Sequence, residues 1–304
     1  MLSKYKYHIL LHVIIFMWGF TGILGKLIHL DAYYLVWHRV LIALVALGIA
    51  LAFMRKSVKL PNFSSFLKIA GVGLFVVLHW MTFYKSIQLS TASLGILCLS
   101  TATLHVTWLE PIIMKRKFSW IEFLLGTLVI YGIYFVSSDF DANDKEALIY
   151  GLFSALFAAL FSVFNAKLAQ DTPSYQITFY EMISALGFLS IVLIFQGTFT
   201  QELFQMTLSD FAWLLFLGIM CTSFAFLATI EVVKRLGAFT VSLSINLEPV
   251  YTILLAIAIL HEDKMLGSHF YIGSAVIVVV VIANAVIKYY LKSKANKTLT
   301  DLSS

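Results

Sequence analysis

Arg39, His79, His105 and Glu248 stand inside stretches otherwise built of Leu, Ile, Val, Phe and small residues. An arginine offers a planar fork of donors that fits a carboxylate. Histidine exchanges protons near neutrality, and a carboxylate far from water takes a proton or meets a cation. The chemistry within reach is recognition of a charged small molecule, transfer of protons, or both. Catalysis by Ser100, the histidines and Glu248 is the competing reading, but the chain holds neither a Gly-x-Ser-x-Gly elbow nor a His-Glu-x-x-His zinc signature. No Gly-x-x-x-x-Gly-Lys-Ser/Thr run occurs either, so ATP is not expected to drive it directly, and no cofactor or metal is expected.

Glu248 is followed by Pro249 in the middle of "SLSINLEPVYTILLAIAILHED", residues 242–263. Proline has no N–H to donate, which frees the carbonyl of Ile245. In hydrocarbon a freed carbonyl needs a protein or cavity partner, so Pro249 marks a helix break that faces inward. Ser244 precedes Glu248 by four residues, and on a continuous helix the two share a face. Two readings of Glu248 stand: a functional acid near the bilayer midplane, or a hydrogen-bonded packing residue at the break.

These residues need a membrane scaffold to position them. The composition is 61% hydrophobic and 12% charged, with a mean hydropathy of +0.92, against roughly 45–50% and 25% in soluble domains. Apolar runs of about 17–25 residues cross a bilayer as helices. Ten are read here, at 8–28, 32–53, 66–89, 91–114, 119–138, 147–170, 174–197, 209–236, 238–261 and 267–292. Of 21 Lys and Arg, 16 fall in loops on the side of the N-terminus and four (Lys26, Lys85, Lys145, Lys264) on the other. The positive-inside rule then makes both termini cytoplasmic. This distribution, rather than nucleic acid, accounts for the net charge of +5. The tail, 293–304, is polar and expected to be disordered. Cys98 and Cys221 both lie in apolar runs, where packing is the expected role.

A shift of 147 residues lays the third to fifth spans over the eighth to tenth without a gap, with Gly71 on Gly218, Thr82 on Thr229, Lys117 on Lys264 and Gly126 on Gly273. Each half, 1–146 and 147–292, then holds five helices. Five is odd, so the second half is inverted relative to the first, the architecture of many secondary transporters.

The sequence resembles the drug/metabolite transporter superfamily, in particular its ten-helix EamA-type branch. The resemblance runs over 8–292 and is carried by Trp18-Gly19, Arg39, "LSTASLG" (89–95) and "LEPVYTILLAIAILHE" (247–262). The first half departs from the pattern of the second: Pro249 aligns with Ala102 and Glu262 with Lys115, so helices four and nine are not expected to behave alike. The resemblance implies export of amino acids or related metabolites across a bacterial cytoplasmic membrane. Drugs or nucleosides are the alternative cargo, and a non-transporting scaffold or an intramembrane enzyme the alternative classes.

The candidate cavity comprises Trp18, Arg39, His79, Trp80, Ser100, Thr101, His105, Asn165, Tyr180, Ser244 and Glu248, with Glu248, His79 and His105 as coupling candidates. Trp18 and Trp80 lie deep enough to stack on an organic substrate, with packing as the plainer role. Arg39 either binds a substrate carboxylate or pairs with an internal acid. A shift of 142 makes Glu181 its repeat counterpart, in the inner third of the seventh span and out of direct reach. One deep arginine is too few for a phosphate. The expected partners are a small molecule and the lipid bilayer, with a proton as the candidate coupling ion and no nucleic acid.

Overall fold

A computed structural model describes residues 2–136, 141–236, 241, 244–245 and 247–301, and among them there is no strand. The helices are α1 (Leu2–Leu27), α2 (Ala32–Phe53), α3 (Phe63–Leu89), α4 (Ala92–Ser100), α5 (Ala102–Met114), α6 (Trp120–Val136), α7 (Ala142–Leu168) and α8 (Ser174–Phe195). After them come α9 (Leu208–Leu215), a π-helical segment (Phe216–Phe224) and α10 (Ala225–Leu236), which form one continuous span. Next are α11 (Glu248–Leu255), a second π segment (Ala256–Leu260) and α12 (Ser268–Asp301). Seven helices are long and apolar enough to cross a membrane, with α4 and α5 counted as one, and three shorter apolar helices lie at Trp120–Val136, Glu248–Leu260 and Ser268–Asn284. This is a multi-pass membrane protein. Its outer faces carry apolar side chains such as Val45, Ile49, Leu124 and Tyr131, which hydrocarbon covers and water would not.

Side chains set the starts of the helices. Asp31 accepts from the Tyr33 amide at 2.9 Å, Asn62 from Ser65 at 2.9 Å, Thr91 from Leu94 at 3.0 Å and Asp141 from Asp144 at 2.9 Å. Each such cap stabilises its helix by about 1 kcal/mol. The tail differs from expectation, because α12 continues to Asp301. Neither proline nor glycine occurs in 293–301, and nothing else there stops a helix.

The packing partners recur. α3 lies against α7 and α8, while the α9–α10 span lies against α1 and α2. α4 and α5 pack on α7, and α11 packs on α1. α2 meets α8, α4 meets α11, and α6 meets α12. Along the last of these contacts a β-carbon on Gly132 would come 3.0 Å from the carbonyl of Gly273, so the two backbones run nearly in contact.

Polar contacts tie the loops at opposite ends of the bundle. At one end Asp210 accepts from the His29 amide at 2.8 Å, and Ser90 donates to Asp144 at 2.5 Å. At the same end Glu262, 2% exposed, receives the amides of Ala92 (2.7 Å) and Ser93 (3.0 Å) on its two carboxylate oxygens. At the other end Gln176 donates to the carbonyls of Ser57 (2.9 Å) and Lys59 (3.3 Å), and Lys167 to that of Ile113 (3.3 Å).

Candidate functional site

Arg39 lies on α2, about 10 Å into the helix at 1.5 Å rise per residue, and is only 4% exposed. Its Nε donates to Thr222 Oγ1 at 3.1 Å and one terminal nitrogen to the Tyr84 hydroxyl at 3.0 Å. The guanidinium carbon sits 4.0 Å from the centroid of the Trp80 ring, within the range of a cation–π contact. The ion pairs among the described residues are His29–Asp210, Arg116–Glu110 and Arg235–Glu231; none includes Arg39. A guanidinium has five N–H donors, and two are used here by protein side chains.

Thr222 reaches this position because the span is π-helical there. Its hydroxyl donates to the Leu217 carbonyl five residues back at 2.9 Å, and Ser223 donates likewise to Gly218 at 3.1 Å and across to Ala43 of α2 at 2.8 Å. Widened turns of this kind recur at functional sites. Trp80 is thus engaged by a protein cation, within the packing role that the sequence reading set beside substrate stacking. Tyr84 and Thr222 escaped the sequence reading, since hydroxyls in apolar spans are common and only the Thr222-Ser223 pair hinted at a distorted turn.

Glu248 begins α11 with Pro249 buried next to it. Proline thus occupies the first turn of a new helix, where its missing N–H is no loss, rather than kinking a continuous one. Ser244 and Ile245 are helical and Leu247 is a turn, so the continuous face expected to join Ser244 to Glu248 is interrupted. The Thr252 hydroxyl donates to the carbonyls of Glu248 (3.0 Å) and Gly19 (3.1 Å). A β-carbon on Gly19 would lie 3.1 Å from Tyr251 Cβ, so the glycine beside Trp18 lets α1 approach α11. Trp18 itself packs on Phe226.

The other candidates are distributed around this core. His79 Nδ1 lies 2.8 Å from the Ser154 hydroxyl and 3.0 Å from its carbonyl, and the ring contacts Phe83 and Phe161. Ser100 and Thr101 turn their hydroxyls back to the carbonyls of Ile96 (3.3 Å) and Cys98 (2.6 Å), and the helix breaks between α4 and α5 at Thr101. His105 meets Trp108 edge-on, with Nδ1 buried and without a hydrogen-bond partner. Tyr180 packs on Phe66 and Phe179. Asn165 Oδ1 is buried without a hydrogen-bond partner. Arg39, Trp80, Tyr84 and Thr222 form one contacting group, and His79 is bound instead to Ser154. Among the described residues no group of three or more His, Cys, Asp or Glu is placed to hold a metal.

The model of the EamA-like transporter family matches residues 6–138 and again 145–285. A solved structure titled "Crystal structure of protein" superposes with a TM-score of 0.63, covering 91% of this chain and 97% of its own at 14% identity; that likeness concerns the fold alone. No curated protein matches in sequence.

Proposed function

The chain belongs to the EamA-like transporter family, whose model matches it twice from end to end, and from that premise we propose that it exports amino acids or closely related zwitterions across the cytoplasmic membrane. That it is a membrane transporter of small molecules follows from the family. The cargo is argued from one observation: Arg39 is buried, stacked on Trp80 and outside the ion pairs His29–Asp210, Arg116–Glu110 and Arg235–Glu231. A cation with donors to spare and a carboxylate at the start of a helix suit the two ends of an α-amino acid. The carboxylate of the cargo takes the free guanidinium N–H groups, and its ammonium takes Glu248.

Several packing pairs support two inverted five-helix repeats: α3 on α7 and α8 answers to the α9–α10 span on α1 and α2, and α4–α5 on α7 answers to α11 on α1. In that reading the Glu262 end faces outward, both termini face the cytoplasm, and the breaks at Thr101 and Glu248 meet near the midplane. Discontinuous helices at the repeat interface are where such transporters bind cargo. Alternating access then opens the site to each side in turn.

The test is uptake of a labelled amino-acid panel into inside-out vesicles, with protein-free vesicles as control and Arg39→Lys and Glu248→Gln alongside. Saturable uptake of one amino-acid class, lost in both variants, is expected. No uptake from folded protein would send the search to nucleosides and drugs.

A further inference from the structure

Thr222 and Ser223 are neighbours in the π-helical segment Phe216–Phe224, and both reach α2. The Thr222 hydroxyl accepts from Arg39 Nε at 3.1 Å, and that of Ser223 donates to the Ala43 carbonyl at 2.8 Å. Arg39 and Ala43 stand four residues apart, so one face of α2 meets both hydroxyls. Gly218 makes room for that meeting: a β-carbon on it would lie 2.6 Å from Ile42 Cγ2 and 3.3 Å from the Ala43 amide nitrogen. The same two hydroxyls bond the carbonyls of Leu217 and Gly218, five residues back. In an α-helical turn a hydroxyl reaches the third or fourth carbonyl back instead, so the widened turn is what aims Thr222 at Arg39.

This arrangement decides which edge of Arg39 is on offer. The Thr222 proton goes to Leu217, so toward Arg39 the hydroxyl oxygen only accepts. Thr222 is 1% exposed and Arg39 4%, and solvent does not compete for the bond. A guanidinium grips a carboxylate through two parallel bonds, either from Nε with a terminal nitrogen or from both terminal nitrogens. The first edge is spent on Thr222. Tyr84 takes one terminal N–H, and the three donors left over are all terminal. A carboxylate on the Nε edge would have to evict Thr222 and leave its oxygen buried and unpaired. We propose that Thr222 is a positioning residue of the cargo site: it takes Nε of Arg39 out of use and directs the cargo's carboxylate to the terminal edge. The cargo in this statement rests on the amino-acid reading; the bond to Nε does not. Because Thr222 lies on the α9–α10 span and Arg39 on α2, that edge is presented only while the two are docked.

Nitrogen NMR of the full chain in nanodiscs, with arginine alone isotopically labelled, tests the bond without cargo. The chain has four arginines, Arg39, Arg55, Arg116 and Arg235, and Arg39→Lys assigns the signal. The Nε–H of Arg39 should exchange with water about tenfold or more slower than that of exposed Arg55. Thr222→Val should shift the resonance and speed its exchange, and Thr222→Ser, which keeps the hydroxyl, should restore both. An Nε–H as fast as that of Arg55 in the wild type, or a serine variant that behaves like the valine one, overturns the positioning role. The wild-type result stands whether or not the valine variant folds.

Addition of the amino-acid panel to the labelled wild type then reads the edge. The terminal nitrogens of Arg39 should shift while Nε stays in place; a larger shift at Nε means docking on the other edge and overturns the proposal. In vesicles Thr222→Val should raise KM for uptake about tenfold with turnover nearly unchanged, and Thr222→Ser should restore KM. Lower turnover at wild-type KM would mark a structural role and overturns it as well. No response of any Arg39 nitrogen and no uptake count against the amino-acid cargo alone, and the exchange measurements then decide the part played by Thr222.

Discussion

The guanidinium of Arg39 lies 4.0 Å from the Trp80 ring centroid while it donates sideways to Thr222 and Tyr84. The stack holds the plane of the fork and the two hydroxyls fix its rotation, so the remaining N–H groups keep one direction without any ligand. Lysine keeps the charge and loses the plane. Arg39→Lys is therefore expected to raise KM for amino-acid uptake about tenfold and Arg39→Ala about a hundredfold, equivalent to roughly 1.4 and 2.8 kcal/mol. Uptake kinetics with both variants at matched surface expression check this.

Thr101 and Glu248 stand 147 residues apart, the shift that relates the two halves, and each marks a helix break. Pro249→Ala removes the residue that fixes the start of α11 there, and Thr101→Ala removes the hydroxyl that competes for the Cys98 carbonyl. Both variants should make their spans more regular, slow turnover about tenfold or more and leave KM nearly unchanged. Slow turnover in Pro249→Ala beside wild-type turnover in Thr101→Ala would mean that the two breaks do different work.

That pair shows what could be read from the sequence and what could not. The break in the second half was legible, because proline cannot donate and the cost of a lost hydrogen bond in lipid is large. The matching break in the first half was not, since Ala102 occupies the proline's place and the interruption comes from Thr101 and Ser100 turning their hydroxyls onto their own carbonyls. The apolar runs were legible as helices for the same reason that Pro249 was, as backbone in hydrocarbon must bond within its own segment. Trp80 could be picked as deep, but its engagement with Arg39 depends on how α2 meets α3. The π turn that delivers Thr222 also lay out of view: it depends on hydroxyls bonding five residues back and on Ser223 reaching Ala43 of a neighbouring helix.

Gly19 sets the distance between α1 and α11. Gly19→Ala places a methyl 3.1 Å from Tyr251 Cβ and 3.2 Å from Thr252 Oγ1, tighter than most packed contacts, and is expected to cost about 1–3 kcal/mol. Thr252→Val removes only the hydroxyl donated to the Gly19 and Glu248 carbonyls, for about 1 kcal/mol. Thermal unfolding in one detergent should rank the two in that order. The reverse ranking would mean that the helix contact yields easily and the hydrogen bond holds it.

Glu262 fixes the start of α4 through the Ala92 and Ser93 amides. Glu262→Gln turns an amide NH2 toward one of those donors and is expected to destabilise the protein by about 1–3 kcal/mol. A cysteine at Ser93, in a background lacking Cys98 and Cys221, should then react faster with a water-soluble thiol reagent. Unchanged labelling and unchanged thermal midpoint would show that the Ala92–Ser93 turn is held by Thr91 and its own packing.

The same contact has a genetic consequence. Only one of its partners is a side chain; the other is peptide backbone that every residue except proline would supply at positions 92 and 93. No exchange of side chains at those positions can restore what a Glu262 variant loses, and no pair of positions will vary together to betray the contact. Revertants of such a variant are to be sought at Glu262 itself or at distant sites that favour the form in which this end is closed, and a charge swap across the joint has no second partner to swap.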